Sequence, residues 1–233
     1  YQKKASDAAA MCFKMKSGRN GLLVLPTGAG KSLIIADIAA RLEEPLIVFQ
    51  PNKEILEQNF AKLQTYGIWD CSIYSASVGR KEISRITFAT IGSVIRHMKD
   101  FQHFKNILID ECHLVKPSDG MYKRFFEQAE RRIVGLTATP CRFYSCKNGS
   151  MLKFLTRTRP RVFSQVLYYC QVSELLAKGF LSRLKYYDVT RIDLTKVRRN
   201  SSGADFDDAS LSDEFRRVDL YGYLISIVKR LLH

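Results

Sequence analysis

The sequence has few acidic residues, no long apolar run and no closely spaced set of cysteines. Its 233 residues include 23 Asp and Glu against 37 Lys and Arg, which gives a formal net charge of +14. The acid deficit suits a polyanionic partner, because Lys and Arg that neutralise phosphates release counterions and dominate affinity. A basic protein without such a partner is an equal alternative, so charge supports a nucleic-acid partner without establishing it.

The missing apolar run and the missing leader argue against two classes of protein. No stretch reaches the roughly 18 apolar residues that a membrane-spanning helix needs. Residues 1–5 also lack the basic start and the apolar segment of a signal peptide. We therefore expect no membrane association and a cytoplasmic location.

The cysteines fit neither a disulfide framework nor a metal site. Cys141 and Cys146 are separated by four residues, and no second close pair completes a zinc quartet. A chain of this size also needs no covalent staples, because it can bury a sizeable core. We expect reduced thiols at all six positions, which are Cys12, Cys71, Cys112, Cys141, Cys146 and Cys170.

Short apolar runs alternate with helical segments up to about residue 140. Strands are predicted at residues 21–25, 46–49, 71–74, 86–89, 107–109 and 133–136. Helices are predicted at residues 32–42, 53–63, 91–97 and 122–129. Strands that are apolar throughout and separated by helices indicate a parallel sheet covered on both faces. We therefore predict an α/β fold with a mostly parallel central sheet flanked by helices.

The alternation fades after Pro140. Residues 141–161 are basic, and we predict a loop there with a short helix at 151–155. A helix is predicted at 171–178, where Gly179 would end it. Farther on, the predicted elements are a strand at 184–189, a polar loop at 200–205 and one amphipathic helix at 211–232.

A glycine-rich turn, Leu-Pro-Thr-Gly-Ala-Gly-Lys-Ser at residues 25–32, lies between a predicted strand and a predicted helix. A phosphate-binding loop requires that context, because its N–H groups point at phosphate oxygens from a helix start. Lys31 would reach the β- and γ-phosphates of ATP, and the Ser32 hydroxyl would ligate Mg²⁺. Leu25 departs from the general pattern, which has glycine there, and a turn without a nucleotide role is the alternative. The predicted nucleotide-binding residues are Thr27, Gly28, Ala29, Gly30, Lys31 and Ser32.

An acidic pair, Asp110 and Glu111, follows the predicted strand at 107–109. A carboxylate at the carboxyl end of a buried parallel strand would lie at the same sheet edge as the phosphate loop. Asp110 would then hold Mg²⁺, and Glu111 would place and polarise the water that attacks the γ-phosphate. Alone, such a pair is a solvated strand end without a catalytic role as often as it is a catalytic pair. Together with the loop it predicts a catalytic site of Lys31, Asp110 and Glu111.

Three motifs in this order resemble those of superfamily 2 helicases of the DExH type. They are the loop at 25–32, Asp-Glu-Cys-His at 110–113 and Leu-Thr-Ala-Thr-Pro at 136–140. The chain is also similar to bacterial RadD-like helicases and to the helicase subunits of type I and type III restriction enzymes. The resemblance implies an N-terminal RecA-like lobe, a P-loop NTPase domain. It further implies that His113, Thr137 and Thr139 couple ATP hydrolysis to nucleic-acid binding.

The resemblance extends to less specific motifs. Residues 51–58, Pro-Asn-Lys-Glu-Ile-Leu-Glu-Gln, are similar to the family's motif Ia, which implies that Pro51 and Lys53 contact the phosphates of a bound strand. The Thr-Phe-Ala-Thr segment ending at Thr90 resembles a later motif of the family, which contacts the bound nucleic-acid strand. Gln2, in the Tyr-Gln pair at the start, matches the position that recognises adenine.

Arg142 opens a basic segment that reaches residue 161. This segment, with Arg142 foremost, would touch the phosphate backbone of a nucleic acid near the motor groove. A solvated surface loop without a ligand is an equal alternative.

The resemblance also implies that the chain is half of a motor. Residues 1–142 correspond to a first RecA-like lobe, and residues 143–233 to the rest of that lobe and a helix leading toward a second lobe. The family's Gln-x-x-Gly-Arg-x-Gly-Arg segment, whose arginine completes the ATP site, has no counterpart after Pro140. We expect ATP and Mg²⁺ as ligands and weak hydrolysis by this chain alone. The expected partners are a second lobe and single-stranded nucleic acid, with DNA favoured over RNA.

Two other functions fit the same motifs. One is the motor subunit of a restriction or remodelling complex, which translocates on duplex DNA without separating its strands. The other is a non-motor nucleotide switch that regulates a partner. The pairing of Asp-Glu-Cys-His with Thr-Ala-Thr argues against the switch, because those motifs serve coupling in a motor.

Overall fold

The computed structural model describes residues 1–15, 19–146, 149–184, 192–200 and 205–231. It describes the side chains of all of these except residues 144–146, 149–150 and 231. The chain forms two compact units, Tyr1–Ser182 and Arg183–His233. The boundary predicted after residue 142 lies inside the first unit, and it stays a prediction about how the family is organised.

The first unit alternates strands and helices. It begins with α1 (Gln2–Lys14), β1 (Gly21–Val24), α2 (Lys31–Arg41), β2 (Leu46–Phe49), α3 (Lys53–Thr65) and β3 (Cys71–Ser75). The next elements are β4 (Arg80–Lys81), β5 (Ile86–Ala89), α4 (Ile91–Val94), β6 (Asn106–Ile109), α5 (Gly120–Phe126) and β7 (Arg132–Thr137). It ends with β8 (Cys141–Cys146), β9 (Gly149–Phe154), β10 (Gln165–Tyr169) and α6 (Val172–Ala177).

Eight strands form one sheet in the order β10-β1-β7-β6-β2-β5-β3-β4. Every neighbouring pair is parallel except β3 and β4. The central strands β2, β5 and β6 are buried along their whole length, as expected of parallel strands covered on both faces. The predicted α/β fold with a mostly parallel sheet is confirmed.

Helices cover the sheet on both sides. Ile38 of α2 and Phe60 of α3 belong to one buried cluster, together with residues of α1. Val94 of α4 and Phe125 of α5 belong to a second cluster. The carboxyl ends of β1, β2, β6 and β7 therefore meet at one open edge, since these strands run in the same direction.

The loop predicted at 141–161 is wrong. β8 and β9 pair as an antiparallel hairpin, with Cys141 opposite Phe154 and Cys146 opposite Gly149. Aromatic and other strand-favouring residues outweigh the basic ones here. The short helix predicted at 151–155 lies on the end of β9 and the start of a single 3₁₀ turn, Leu155–Arg157.

Two further elements concern the region after the hairpin. The helix predicted at 171–178 is confirmed by α6, and Gly179 after it has φ 72°, a left-handed value that suits glycine. β10 was not predicted. It pairs in parallel with β1 at the edge of the sheet.

The second unit contains α7 (Asp208–Arg217) and α8 (Leu220–Leu231) among its described residues. The single helix predicted at 211–232 is wrong, because Asp219 adopts φ 47° and interrupts it. The Asp219 carboxylate accepts a hydrogen bond from the Gly222 N–H at 3.3 Å and so caps the new helix start. Residues 185–189 of the strand predicted at 184–189 and most of the loop at 200–205 lie outside the described residues.

Among the described helices, none combines the length and the apolar character that crossing a membrane requires. The described cysteines, which are Cys12, Cys71, Cys112, Cys141 and Cys170, are free thiols.

Candidate functional site

The glycine-rich turn between β1 and α2 depends on two left-handed glycines. Gly28 has φ 81° and Gly30 has φ 76°, values that residues with a Cβ adopt only at a cost. A Cβ added at Gly30 would lie 2.4 Å from Gln2 Nε2. No side chain caps α2, which begins at Lys31. The Leu33 N–H is bonded to the Gly30 carbonyl at 3.0 Å. The N–H groups of Lys31 and Ser32 have no side-chain acceptor among the described residues, so they are the ones that a phosphate could bind.

Leu25, the departure from the general phosphate-loop pattern, belongs to the core. Its side chain is fully buried, and its N–H donates to the Thr137 carbonyl at 2.9 Å, which extends the pairing of β1 with β7. The tight turn is made by Gly28 and Gly30 instead. A leucine at position 25 is therefore compatible with the loop.

Lys31 and Glu111 form an ion pair at this edge. Lys31 Nζ donates to Glu111 Oε1 at 2.6 Å, and their side chains are 14% and 25% exposed. Glu111 has φ 47° and ψ 47°, a left-handed conformation that costs about 1–2 kcal/mol outside glycine. Such strain persists where the surrounding structure requires it and is concentrated at functional sites.

Asp110 is the buried carboxyl of the site, with 5% of its surface exposed. Its Oδ1 accepts a hydrogen bond from the Glu111 N–H at 3.0 Å. Burial raises the pKa of Asp110 to about 6, against the attraction of Lys31 and with the added repulsion of Glu111. An approaching cation would reverse this shift, because it favours the ionised carboxylate.

Two amides that the sequence analysis missed join this site. Ser32 Oγ donates to Asn59 Oδ1 at 2.6 Å, and Asn59 Nδ2 donates to Gln50 Oε1 at 3.1 Å and to Asp110 Oδ2 at 3.4 Å. A signal was present in the sequence. Asn59 is a polar residue within the apolar stripe of α3, and Gln50 directly follows the apolar strand β2.

The oxygen donors near Ser32 suit a magnesium ion. Mg²⁺ prefers hard oxygen ligands and binds through one or two carboxylates while keeping several waters. The hydroxyl of Ser32 and the carboxylate of Asp110 are such donors, and Asn59 connects them. The residues present therefore fit the ion.

A second network extends from Glu111 to β7. His113 Nδ1 lies 3.0 Å from Thr137 Oγ1 and 3.3 Å from Glu111 Oε2. The buried Thr137 Oγ1 in turn accepts a hydrogen bond from the Thr139 N–H at 3.0 Å. His113 is thus hydrogen-bonded to Thr137 and lies beside the predicted catalytic carboxylate of Glu111. Thr137 is bonded in turn to Thr139.

Gln2 and Tyr1 lie against the glycine-rich turn. Gln2 Nε2 and the Tyr1 hydroxyl both donate to the Ala29 carbonyl, at 3.2 Å and 3.1 Å. Thr27, the remaining residue of the predicted loop, is exposed at the turn. The position predicted to recognise adenine is therefore adjacent to the predicted phosphate loop.

The residues predicted to contact a nucleic-acid strand lie in two places. Pro51 and Thr90 both line a cavity of about 460 Å³ beside β2, and Lys53 is exposed at the first position of α3. Arg142 is not among the residues that line this cavity. It lies on β8, and its Nη1 donates to the Val115 carbonyl at 2.7 Å.

Comparison with known proteins identifies a family that matches most of the chain. Residues 1–142 match the family model described as the type III restriction enzyme, res subunit. The chain is 28% identical over 125 residues to the DNA 3'-5' translocase XPB2 of Sulfurisphaera tokodaii, covering 52% of this chain and 27% of that protein. It is 30% identical over 149 residues to the DNA 3'-5' helicase XPB of Kineococcus radiotolerans, covering 60% and 25%. The chain thus spans about a quarter of the length of these relatives.

One solved structure supports the fold. It is a nuclease-deletion mutant of the type ISP restriction-modification enzyme LlaGI in complex with a DNA substrate mimic. The TM-score is 0.56 at 15% identity, and the match covers 77% of this chain and 20% of that chain.

Proposed function

Because the chain belongs to the family of the type III restriction enzyme res subunit through residues 1–142, we propose that it is the first lobe of an ATP-driven DNA motor. Its superfamily 2 DExH motifs would bind ATP and Mg²⁺ at the open sheet edge. The observation that carries this proposal is the Lys31–Glu111 ion pair of 2.6 Å beside the uncapped start of α2. A lysine held by a carboxylate at a helix start is ready to exchange that partner for a phosphate.

ATP binding would use groups that the structure leaves accessible. The N–H groups at the start of α2 would donate to phosphate oxygens, helped by the positive end of the helix dipole. Lys31 would leave Glu111 and bind the β- and γ-phosphates. Gln2, next to Ala29 in the turn, would recognise adenine.

Hydrolysis would depend on the two carboxylates. Ser32 and Asp110 would hold Mg²⁺, which supplies neutralisation of the charge on the phosphates. Glu111, released from Lys31, would accept a hydrogen bond from a water and hold it in line with the γ-phosphorus. His113 and Thr137 would transmit the state of Glu111 to the Thr-Ala-Thr segment, since His113 lies 3.3 Å from Glu111 and is hydrogen-bonded to Thr137.

Nucleic acid would bind beside this site, and a second lobe would complete it. Pro51 and Thr90 at the cavity, and Lys53 at the start of α3, would contact the backbone of a DNA strand. An arginine from a second RecA-like lobe would complete catalysis, and such a residue is worth roughly 10³–10⁵ in rate. We therefore expect this chain to bind ATP with Mg²⁺ and to hydrolyse it slowly.

The test is a titration of the 233-residue chain with a fluorescent ATP analogue, combined with a hydrolysis assay with and without single-stranded DNA. We expect binding that requires Mg²⁺ and turnover that remains slow with DNA. Absence of Mg²⁺-dependent binding would contradict the nucleotide site. Rapid DNA-stimulated turnover that disappears in Glu111→Gln would instead show that no second lobe is needed.

A second candidate function is translocation on duplex DNA without strand separation. The restriction-enzyme family and the relative named as a translocase favour it. A protein that includes the second lobe would then displace a triplex-forming third strand while leaving a forked duplex intact. Unwinding of the fork would instead support a helicase.

A further inference from the structure

Asn59 is a polar side chain in an apolar position. It lies on the buried face of α3 between Leu56 and Phe60, and it is 6% exposed. A buried amide costs free energy unless its donors and acceptor are bonded. The partners of Asn59 therefore determine which way its amide group points.

The orientation of this amide follows from Asp110. The Asp110 carboxylate and Gln50 Oε1 are both acceptors, and both lie within 3.4 Å of Asn59 Nδ2. A flipped amide would place Asn59 Oδ1 against the Asp110 carboxylate, which would repel it. The nitrogen must therefore face Asp110 and Gln50, and the oxygen must face Ser32.

The orientation of the amide in turn sets the Ser32 hydroxyl. Asn59 Oδ1 can only accept, so Ser32 Oγ must donate its proton in the 2.6 Å bond between them. The lone pairs of Ser32 Oγ are then turned away from Asn59 and are free to face a cation. One amide thus connects both oxygen groups proposed to hold Mg²⁺.

Gln50 supports Asn59 from the other side. It is 1% exposed, and its Oε1 accepts the bond from Asn59 Nδ2. Its Nε2 has no hydrogen-bond partner, and Gln50 lines the cavity of about 460 Å³. Gln50 is hydrogen-bonded to Asn59 and to neither Ser32 nor Asp110. Its contribution to the metal site would therefore pass through Asn59.

We propose that Asn59 is a positioning residue for Mg²⁺, which holds the Ser32 hydroxyl and the Asp110 carboxylate in their binding orientations, with Gln50 orienting Asn59. The proposal rests on the proposed ATP·Mg²⁺ function. It concerns the advantage that Mg²⁺ gives to ATP binding, and not the affinity of the loop for phosphate alone.

The experiment measures ATP affinity by fluorescence titration, once with excess Mg²⁺ and once with EDTA. The ratio of the two affinities is the Mg²⁺ advantage. We expect Asn59→Leu to reduce this ratio roughly tenfold, about the effect of one charge-assisted hydrogen bond, with the affinity in EDTA unchanged. Gln50→Leu should reduce it roughly threefold, as one neutral hydrogen bond would. The control is Gln64→Leu, which removes an amide from the last turn of α3 and should leave the ratio unchanged.

Two further measurements separate positioning from folding. An unchanged EDTA affinity shows that the loop is intact in each variant, and Asn59→Ser replaces Asn59→Leu if the latter does not fold. In the background of Ser32→Ala, Asn59→Leu should reduce the ratio by less than in the wild type, because both changes act on the same ligand.

The outcomes distinguish the two proposals. No Mg²⁺ advantage in the wild type would overturn the proposed function. A wild-type advantage that survives in Asn59→Leu would overturn only the role of Asn59, as would fully additive effects with Ser32→Ala.

Discussion

The helices α2 and α3 begin at the same edge of the sheet but in different ways. Gly30 precedes α2 with φ 76°, and no side chain caps that helix. Asn52 precedes α3, and its side chain accepts a hydrogen bond from the Ile55 N–H at 2.9 Å. In the described part of the chain, the start of α2 thus has no side-chain acceptor for its N–H groups, whereas Asn52 satisfies one N–H group of α3. We propose that a phosphate binds backbone groups at α2, and that Lys53 contacts DNA at α3 through its side chain.

The largest expected effect concerns the two lysines that begin these helices. It tests whether the two helix starts bind different ligands. In the proposed function Lys31 makes a charged contact to phosphate, and such a contact is worth about 1.5–3 kcal/mol. ATP affinity in Lys31→Ala should therefore fall roughly 10- to 150-fold. Lys53→Ala is the matched change at α3, and ATP affinity measured without DNA should stay the same while DNA affinity falls. Equal losses of ATP affinity in both variants would remove the distinction between the two helix starts.

A smaller effect concerns the residues that precede the helices. In Gly30→Ala, a Cβ would lie 2.4 Å from Gln2 Nε2 on a backbone with φ 76°, and we expect ATP affinity to fall roughly tenfold. Asn52→Ala should lower the free energy of unfolding by about 1 kcal/mol through the lost cap, with ATP affinity unchanged. Urea unfolding and ATP titration of both variants measure this. Loss of ATP affinity in Asn52→Ala would mean that the cap serves the nucleotide site.

A third prediction concerns Asp110, the carboxyl beside the start of α2, and the pH dependence of ATP binding. Burial raises the pKa of Asp110 to about 6, so the group is ionised above that pH and protonated below it. A protonated carboxyl does not ligate Mg²⁺. The Mg²⁺ advantage in ATP affinity should therefore fall roughly tenfold between about pH 7.5 and about pH 5.

The control for this pH dependence is Asp110→Asn. Protonation of ATP itself affects both proteins alike, so the difference between the two pH profiles isolates Asp110. Profiles that run parallel would contradict a role of this carboxyl in binding the ion.

Much of the fold was predictable from the sequence because most residues of its central strands are apolar. β2, β5 and β6 are buried on both faces, and continuous apolar runs mark such strands. β10 was missed although four of its five residues are apolar. It is an edge strand with half-buried and exposed residues, and it lies where the alternation of strands and helices has faded. The break at Asp219 was also missed, since the amphipathic pattern continues across it while the backbone turns left-handed.

The candidate site also contains residues that the sequence could predict and residues that it could not. Lys31 and Ser32 stand in one motif, and Asp110 and Glu111 stand in another. Each motif directly follows a predicted parallel strand, so the sequence alone could predict that the two motifs meet at one edge of the sheet. Asn59 contacts Ser32 and Asp110 across 27 and 51 residues. No local spacing encodes such a contact, and only a polar residue within an apolar stripe indicated it. The left-handed Glu111 likewise results from tertiary packing and has no sequence signal.

The most direct test of the nucleotide site is the ATP·Mg²⁺ affinity of Glu111→Gln. Glu111 holds Lys31 at 2.6 Å, and in the proposed function ATP displaces it. Removing this charge removes a competitor and a repulsion, so affinity should rise several-fold, by about 1 kcal/mol, while hydrolysis is lost. The opposite sign from Lys31→Ala is the result that we predict. A decrease in affinity as large as that of Lys31→Ala would contradict the assignment of this edge as the ATP site.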